Sequence, residues 1–163
     1  LIAGLPTDTP ESFKNSLDSI VRLNAECITV HTLCMKRASR LTTEGVTLDL
    51  QQARDAREML AYTQNILGQN EYIPYYMYRQ SRMVGNLENV GWSKKGFESL
   101  YNVYVMDETH TILACGSGGV TKLKRNNPDY LERIFNFKYP YEYIDRFDEL
   151  IQRKSGIMQF YGQ

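Results

Sequence analysis

An α/β fold that continues into an α+β region is the architecture this sequence predicts, and three observations carry it. Leu1 to Leu5 is an apolar run closed by Pro6, an amphipathic helical pattern follows, and Cys27 to Met35 is rich in β-branched and apolar residues. Strand, helix and strand in that order make a βαβ unit. Beyond Gln69 the chain changes character to aromatic, strand-like pieces, which places a boundary near residue 68, between a βαβα part over 1–68 and an α+β region over 69–163.

The first helix is signalled by Thr9-Pro10-Glu11, which supplies an N-cap, a first-turn proline and a first-turn acid. Phe13, Leu17, Ile20 and Val21 recur at spacings of three and four and give it one apolar face. A second, long helix is expected from about Leu48 to Leu67, with Ala56, Met59, Leu60 and Thr63 inward and Gly68 as its stop. Tyr72 to Tyr78 reads as a strand, and Leu100 to Met106 with Thr111 to Cys115 reads as a β-hairpin turned at Asp107-Glu108-Thr109. Pro128 and Pro140 are expected to open helices over Asp129 to Ile134 and Tyr141 to Lys154, ended by Gly156 and a frayed tail.

Composition bounds the function. The 163 residues are 42% hydrophobic, enough for one core or one and a half small ones, and the 19 basic and 19 acidic residues cancel. Zero net charge excludes broad electrostatic attraction to nucleic acid or acidic membranes, so any basic site must be local. No run approaches the ~20 apolar residues of a membrane span, and the cytoplasm is the expected compartment. Cys27, Cys34 and Cys115 are odd in number, widely spaced and set among apolar residues, which predicts reduced core cysteines. Leu1 is not Met and the chain opens inside a strand, so an excised segment is expected. Gly116-Ser117-Gly118-Gly119-Val120-Thr121-Lys122 lacks the spacing of a phosphate-binding loop, and a nucleoside triphosphate site is rejected.

Four segments, in order, carry a resemblance. They are Leu1-Ile2-Ala3-Gly4-Leu5-Pro6 with Thr9-Pro10-Glu11, Ile28 to Leu41, Pro74 to Trp92, and Leu113 to Leu123. Together they resemble the radical S-adenosylmethionine (SAM) coproporphyrinogen III dehydrogenases, also called oxygen-independent coproporphyrinogen oxidases, over almost the whole chain. In a bacterial branch of that family, runs similar to Thr29 to Leu33 and Lys36 to Leu41 occur. The resemblance implies the C-terminal part of a partial (β/α) barrel whose strand ends face SAM, with the Leu1 strand late in the barrel and the Cys27 strand its last. It implies SAM and a 4Fe-4S cluster in the full-length protein. The cluster's cysteine triplet would lie in a missing N-terminal half, and these 163 residues, which contain no such triplet, are expected to hold no cofactor and to be inactive alone.

Active sites of parallel barrels gather where strands end at their C-terminal side. Gly4-Leu5-Pro6 ends one strand, either as a close approach to a ligand or as a tight turn. His31 to Met35 ends the other, and the resemblance places Leu33, Cys34 and Met35 beside the adenine of SAM, with Gly4 across from them. Lys36, Arg37 and Arg40 follow directly. Coproporphyrinogen carries propionates, and guanidinium donors match carboxylates, so these cations are substrate candidates against the plain alternative of a solvated loop. Tyr75, Tyr76, Tyr78 and Arg79, with Trp92, read either as a stacking floor for a flat tetrapyrrole or as half-buried packing. His31 reads first as a satisfied core histidine and second as a catalytic one. The function expected is oxidative decarboxylation of coproporphyrinogen III to protoporphyrinogen IX in haem biosynthesis, and the alternative is a haem-binding or tetrapyrrole-binding chaperone of the same family.

Overall fold

A computed structural model describes residues 1–35, 40–47, 49–125 and 130–162, with Arg40 described through its backbone alone. Two compact units divide the chain, Leu1–Val103 and Tyr104–Gln163.

The first unit begins as the apolar pattern requires. Strand β1 (Ile2–Ala3) runs into helix α1 (Pro10–Arg22), whose Thr9 N-cap accepts from the Ser12 amide in a reciprocal capping box. Strand β2 (Cys27–Thr32) returns parallel to β1, with Ile2 opposite His31 and Ala3 opposite Thr32. The turn α2 (Arg40–Thr43) and the long helix α3 (Leu50–Gln69) follow, the latter capped by Asp49 and Gln52. Gly68 lies inside α3, which ends at the Asn70 cap and not at the glycine. Strands β3 (Tyr72–Tyr78) and β4 (Asn89–Lys94) complete a sheet in the order β1-β2-β4-β3.

Strand β4 pairs antiparallel with both neighbours, so β1, β2 and β3 share one direction and β4 reverses it. The sheet is mixed, with β4 and β3 lying beyond β2. One face of this sheet packs on the helices. Ala3, Ile28, Val30, Tyr72 and Trp92 join Phe13 and Leu17 of α1 and Met59 and Leu67 of α3 in one buried cluster. At the strand ends a second cluster forms from Leu33, Ala56 and Val84, with Leu5 and Met35 against it.

The later part of the chain departs further from expectation. Leu100 to Met106, expected as a strand, belongs to helix α4 (Leu100–Asp107), where the Val103 amide donates to Ser99 and the Glu108 amide to Tyr104. Its β-branched and aromatic residues suit either state, and the expected partner, Thr111 to Cys115, is engaged elsewhere by a bridge from Ile112 to Lys122. The hairpin is instead β5 (Val120–Lys124) with β6 (Leu131–Phe135), paired antiparallel along its length. Residues 131–134 were expected in a helix opened by Pro128; pairing with β5 outweighs that local signal. The helix expected over Tyr141 to Lys154 breaks at Arg146 (φ −115°, ψ 33°) into α5 (Pro140–Asp145) and α6 (Phe147–Lys154). Gly156 opens a further helix, α7 (Gly156–Tyr161), where a frayed tail was expected.

Cys27, Cys34 and Cys115 are free, but Cys27 and Cys115 are exposed, which corrects the reading of all three as core residues. Cys27 begins β2 on the face turned away from the helices, with its thiol against the Phe97 carbonyl.

Gly4 fixes the turn out of β1. Its φ is +83°, and a Cβ there would lie 3.2 Å from the Ala56 Cβ and 3.5 Å from Val84 Cγ1. Left-handed backbone and a crowded site both demand glycine. Gly4→Ala is therefore expected to lower stability by about 1–3 kcal/mol, read as a lower urea midpoint; an unchanged midpoint would contradict this packing.

Candidate functional site

The site follows from the pleat. Side chains alternate across a strand, so Ile28 and Val30, which pair with Trp92 and Val90, face the helices, while Thr29 and His31 face the other side. Strand β3 alternates the same way until Pro74, which pairs with Trp92. One residue, Tyr75, is then inserted, and Tyr76 pairs with Gly91 and Tyr78 with Asn89. That bulge turns Tyr76 and Tyr78 to the side of Thr29 and His31. Without it they would have pointed into the helices with Tyr72.

Glycine 91 provides the bed for Tyr76. A Cβ at that position would fall 1.8 Å from Tyr76 Cε1, so the ring lies flat on bare backbone. The Tyr76 hydroxyl is 3.2 Å from Thr29 Oγ1, and the Tyr76 and Tyr78 rings stack with centroids 6.4 Å apart. The Tyr78 hydroxyl is 3.2 Å from His31 Nδ1, with the two rings edge to face. Asn89, buried beneath, accepts from the Thr32 amide through Oδ1 at 2.7 Å. Burial pushes the Tyr78 phenol up. His31 is thus a satisfied histidine, but it is half-buried on the face opposite the core and not within it.

The other expected residues are placed as follows. Gly4 is buried, and its amide donates to Met59 Sδ. Leu33 is buried against Ala56 and Val84, with its amide donating to Ala3. Cys34 and Met35 are half-buried; the Cys34 thiol meets the Ser81 carbonyl at 3.2 Å, and the Met35 amide donates to Arg82. The Leu33 and Met35 amides are committed to the chain itself, so these two residues offer SAM apolar surface and no amide donor. Lys36 and Arg37 lie outside the described residues, as does the side chain of Arg40. Arg79 pairs with Glu88 and lines a cleft of about 300 Å³ on the α3 side, with Leu60, Val90 and Trp92. The sheet therefore separates Arg79 and Trp92 from Tyr76 and Tyr78, and the single floor expected of them splits in two.

Among the described residues, no group of three His, Cys, Asp or Glu could hold a metal ion, so these residues do not fit an iron–sulfur cluster. In the loop at 116–119, the Gly116 amide donates to the Tyr143 hydroxyl, Gly118 to Phe137 and Gly119 to Gly116, which leaves no cradle of glycine amides for an anion. Two residues that sequence reasoning did not assign complete the site. Thr29 was hidden because its role depends on register, and Asn89 stood in a stretch whose individual roles the sequence could not give.

Against curated proteins, the chain is 36% identical over 159 residues to the oxygen-independent coproporphyrinogen-III oxidase-like protein HemZ of Bacillus subtilis (strain 168). This chain is a relative of HemZ. The match takes in 98% of the chain and 32% of that protein, so the chain spans about a third of its HemZ relative's length. No family model and no solved structure matches the chain. Among the described residues, no helix of this HemZ relative is long and apolar enough to cross a membrane.

Burial holds the His31 imidazole below the ordinary histidine value of 6.5. A histidine kept neutral in the fold takes up its proton more readily when unfolded. The stability it contributes is complete above the ordinary value and is lost as pH falls below it. Denaturant midpoints should fall between neutral pH and about pH 5, and His31→Gln should flatten that decline. Equal slopes in both proteins would contradict the burial assigned to His31.

Proposed function

We propose that this chain forms the late strands and the substrate-covering region of a radical SAM enzyme that oxidatively decarboxylates the propionates of coproporphyrinogen III, giving protoporphyrinogen IX for haem biosynthesis. The observation that carries this reading is the 36% identity to a coproporphyrinogen-III oxidase-like protein, which extends over 98% of the chain. The parallel pairing of β1 with β2 supports it, because Gly4-Leu5-Pro6 and Leu33 to Met35 then leave the sheet at one end, where barrel enzymes place their ligands.

In this reading the cluster and most of the barrel come from sequence preceding Leu1. When bound, SAM and the cluster supply the one-electron chemistry that lets a propionate lose carbon dioxide. The chain's own residues bind and orient. Cys34 and Met35, with Gly4 and Leu33 behind them, wall the adenine; Lys36, Arg37 and Arg40 hold propionates; and Tyr78 faces the substrate from the sheet. Arg79, on the α3 side, would reach a propionate only beyond the sheet's end, past its Glu88 partner.

The test uses the full-length protein, reconstituted without oxygen and given SAM and coproporphyrinogen III. SAM-dependent formation of protoporphyrinogen IX is expected. Arg37→Ala and Arg40→Ala should each weaken coproporphyrinogen binding about ten- to a hundredfold, as loss of a charge-assisted hydrogen bond in a partly dry cleft requires. Tight haem binding with no turnover would replace this reading with the chaperone. Unchanged affinity in both variants would remove the carboxylate role from the Lys36 to Arg40 loop.

A further inference from the structure

The bulge that turns Tyr76 and Tyr78 away from the helices leaves room behind it. On the α3 side, Pro74 is followed only by Met77, which pairs with Val90 and is 60% exposed. The gap between α3 and β4 stays open as the cleft of about 300 Å³. Helix α3 lines that cleft with Arg57, Leu60, Ala61 and Gln64, at the i, i+3, i+4 and i+7 spacing of one helix face. A second depression of about 570 Å³, lined by Pro74 and Met77, shares Gln64, Val90 and Trp92 with it. The two form one groove that reaches the edge strand β3.

The groove has an apolar floor and an unpaired polar wall. Leu60, Val90 and Trp92 make the floor. Among the described residues, the side chains of Arg57 and Gln64 and the Trp92 indole N–H have no hydrogen-bond or ion-pair partner. Trp92 is only 7% exposed, and a nearly buried donor without an acceptor carries a cost that a ligand atom in the groove removes. Arg79, the other cation of the cleft, is neutralised by Glu88, so Arg57 leaves the cleft with one net positive charge. Both arginines line the cleft and neither lines the second depression. Positive charge is therefore confined to one end of the groove.

We propose that this groove binds a monocarboxylate with an extended aliphatic body. The carboxylate sits against Arg57, and the chain runs over Leu60, Val90 and Trp92 toward Pro74 and Met77. A guanidinium fork matches a carboxylate, whereas a phosphate monoester, with nearly two negative charges at neutral pH, leaves one of them unmatched here. Coproporphyrinogen III does not suit the groove, because a macrocycle with four propionates exceeds both its width and its charge. The site is thus separate from the sheet face proposed for the substrate, and its assignment does not depend on that proposal.

Full-length protein labelled with fluorotryptophan tests it, because Trp92 is the one tryptophan of these 163 residues and its resonance is assigned by its loss in Trp92→Phe. Octanoate is the probe, octanol its uncharged match, and propionate the head group without the chain. The Trp92 resonance should shift saturably with octanoate at millimolar concentration or below, and octanol and propionate should each bind at least about tenfold more weakly. Arg57→Ala should weaken octanoate about ten- to a hundredfold. Ala61→Leu, which fills the cleft from α3, should weaken it at least about tenfold. Both positions are exposed, so both variants should fold, and coproporphyrin III titrated into them should bind as it does to wild type. No saturable shift with octanoate, an equal response to octanol, or unchanged octanoate affinity in Arg57→Ala would overturn the inference. A loss of coproporphyrin III affinity in parallel with octanoate would merge the two sites and overturn it as well.

Discussion

Everything at the candidate site depends on one inserted residue in β3. A strand that alternated without interruption from Tyr72 would aim Tyr76 and Tyr78 at α3, into the cluster that already holds Tyr72 and Trp92. The bulge at Tyr75 cancels that alternation, and Tyr75 is itself held by a hydrogen bond from Asn102 to its hydroxyl. Gly91 is the complement of the bulge, because only a residue without a Cβ leaves room for the Tyr76 ring. The two features make a face that is aromatic and hydrogen-bonded on a sheet whose other face is an ordinary apolar core.

Two ion pairs of the first unit lie off that face: Lys14 pairs with Glu58 on the helices, and Arg79 pairs with Glu88 on the α3 side. Beside His31 on the sheet stand neutral dipoles: the Tyr78 phenol at His31 Nδ1, and Asn89 accepting from the Thr32 amide. Such a set fixes orientation at the cost of little desolvation, whereas a buried guanidinium would need a partner.

The sequence made the first three elements legible because their signals are local and agree. Thr9, Pro10 and Glu11 cap α1, its apolar spacing matches a helix, and the β-branched run in β2 has no competing helical reading. Long-range pairing defeated local signals elsewhere. The Leu100 to Met106 run carries residues that suit a strand, yet among the described residues no strand pairs with it, and Pro128 suggested a helix where Leu131–Phe135 pair with β5. At the site, Tyr78 was legible as a residue type in a favourable place, but its partnership with His31 spans 47 positions and required the register of three strands. Trp92 was grouped with the tyrosines because proximity in sequence says nothing of which face a strand presents.

The claim at the centre of this account is that the ligand uses the face opposite the helices. Full-length protein labelled with fluorotyrosine and fluorotryptophan and titrated with coproporphyrin III tests it directly, because the porphyrin ring current shifts the resonances of any aromatic ring it approaches. The account predicts that Tyr76 and Tyr78 shift on binding while the core Tyr72 and the Trp92 indole do not. Shifts at Tyr72 and Trp92, with Tyr76 and Tyr78 unmoved, would place the ligand on the α3 side and contradict it.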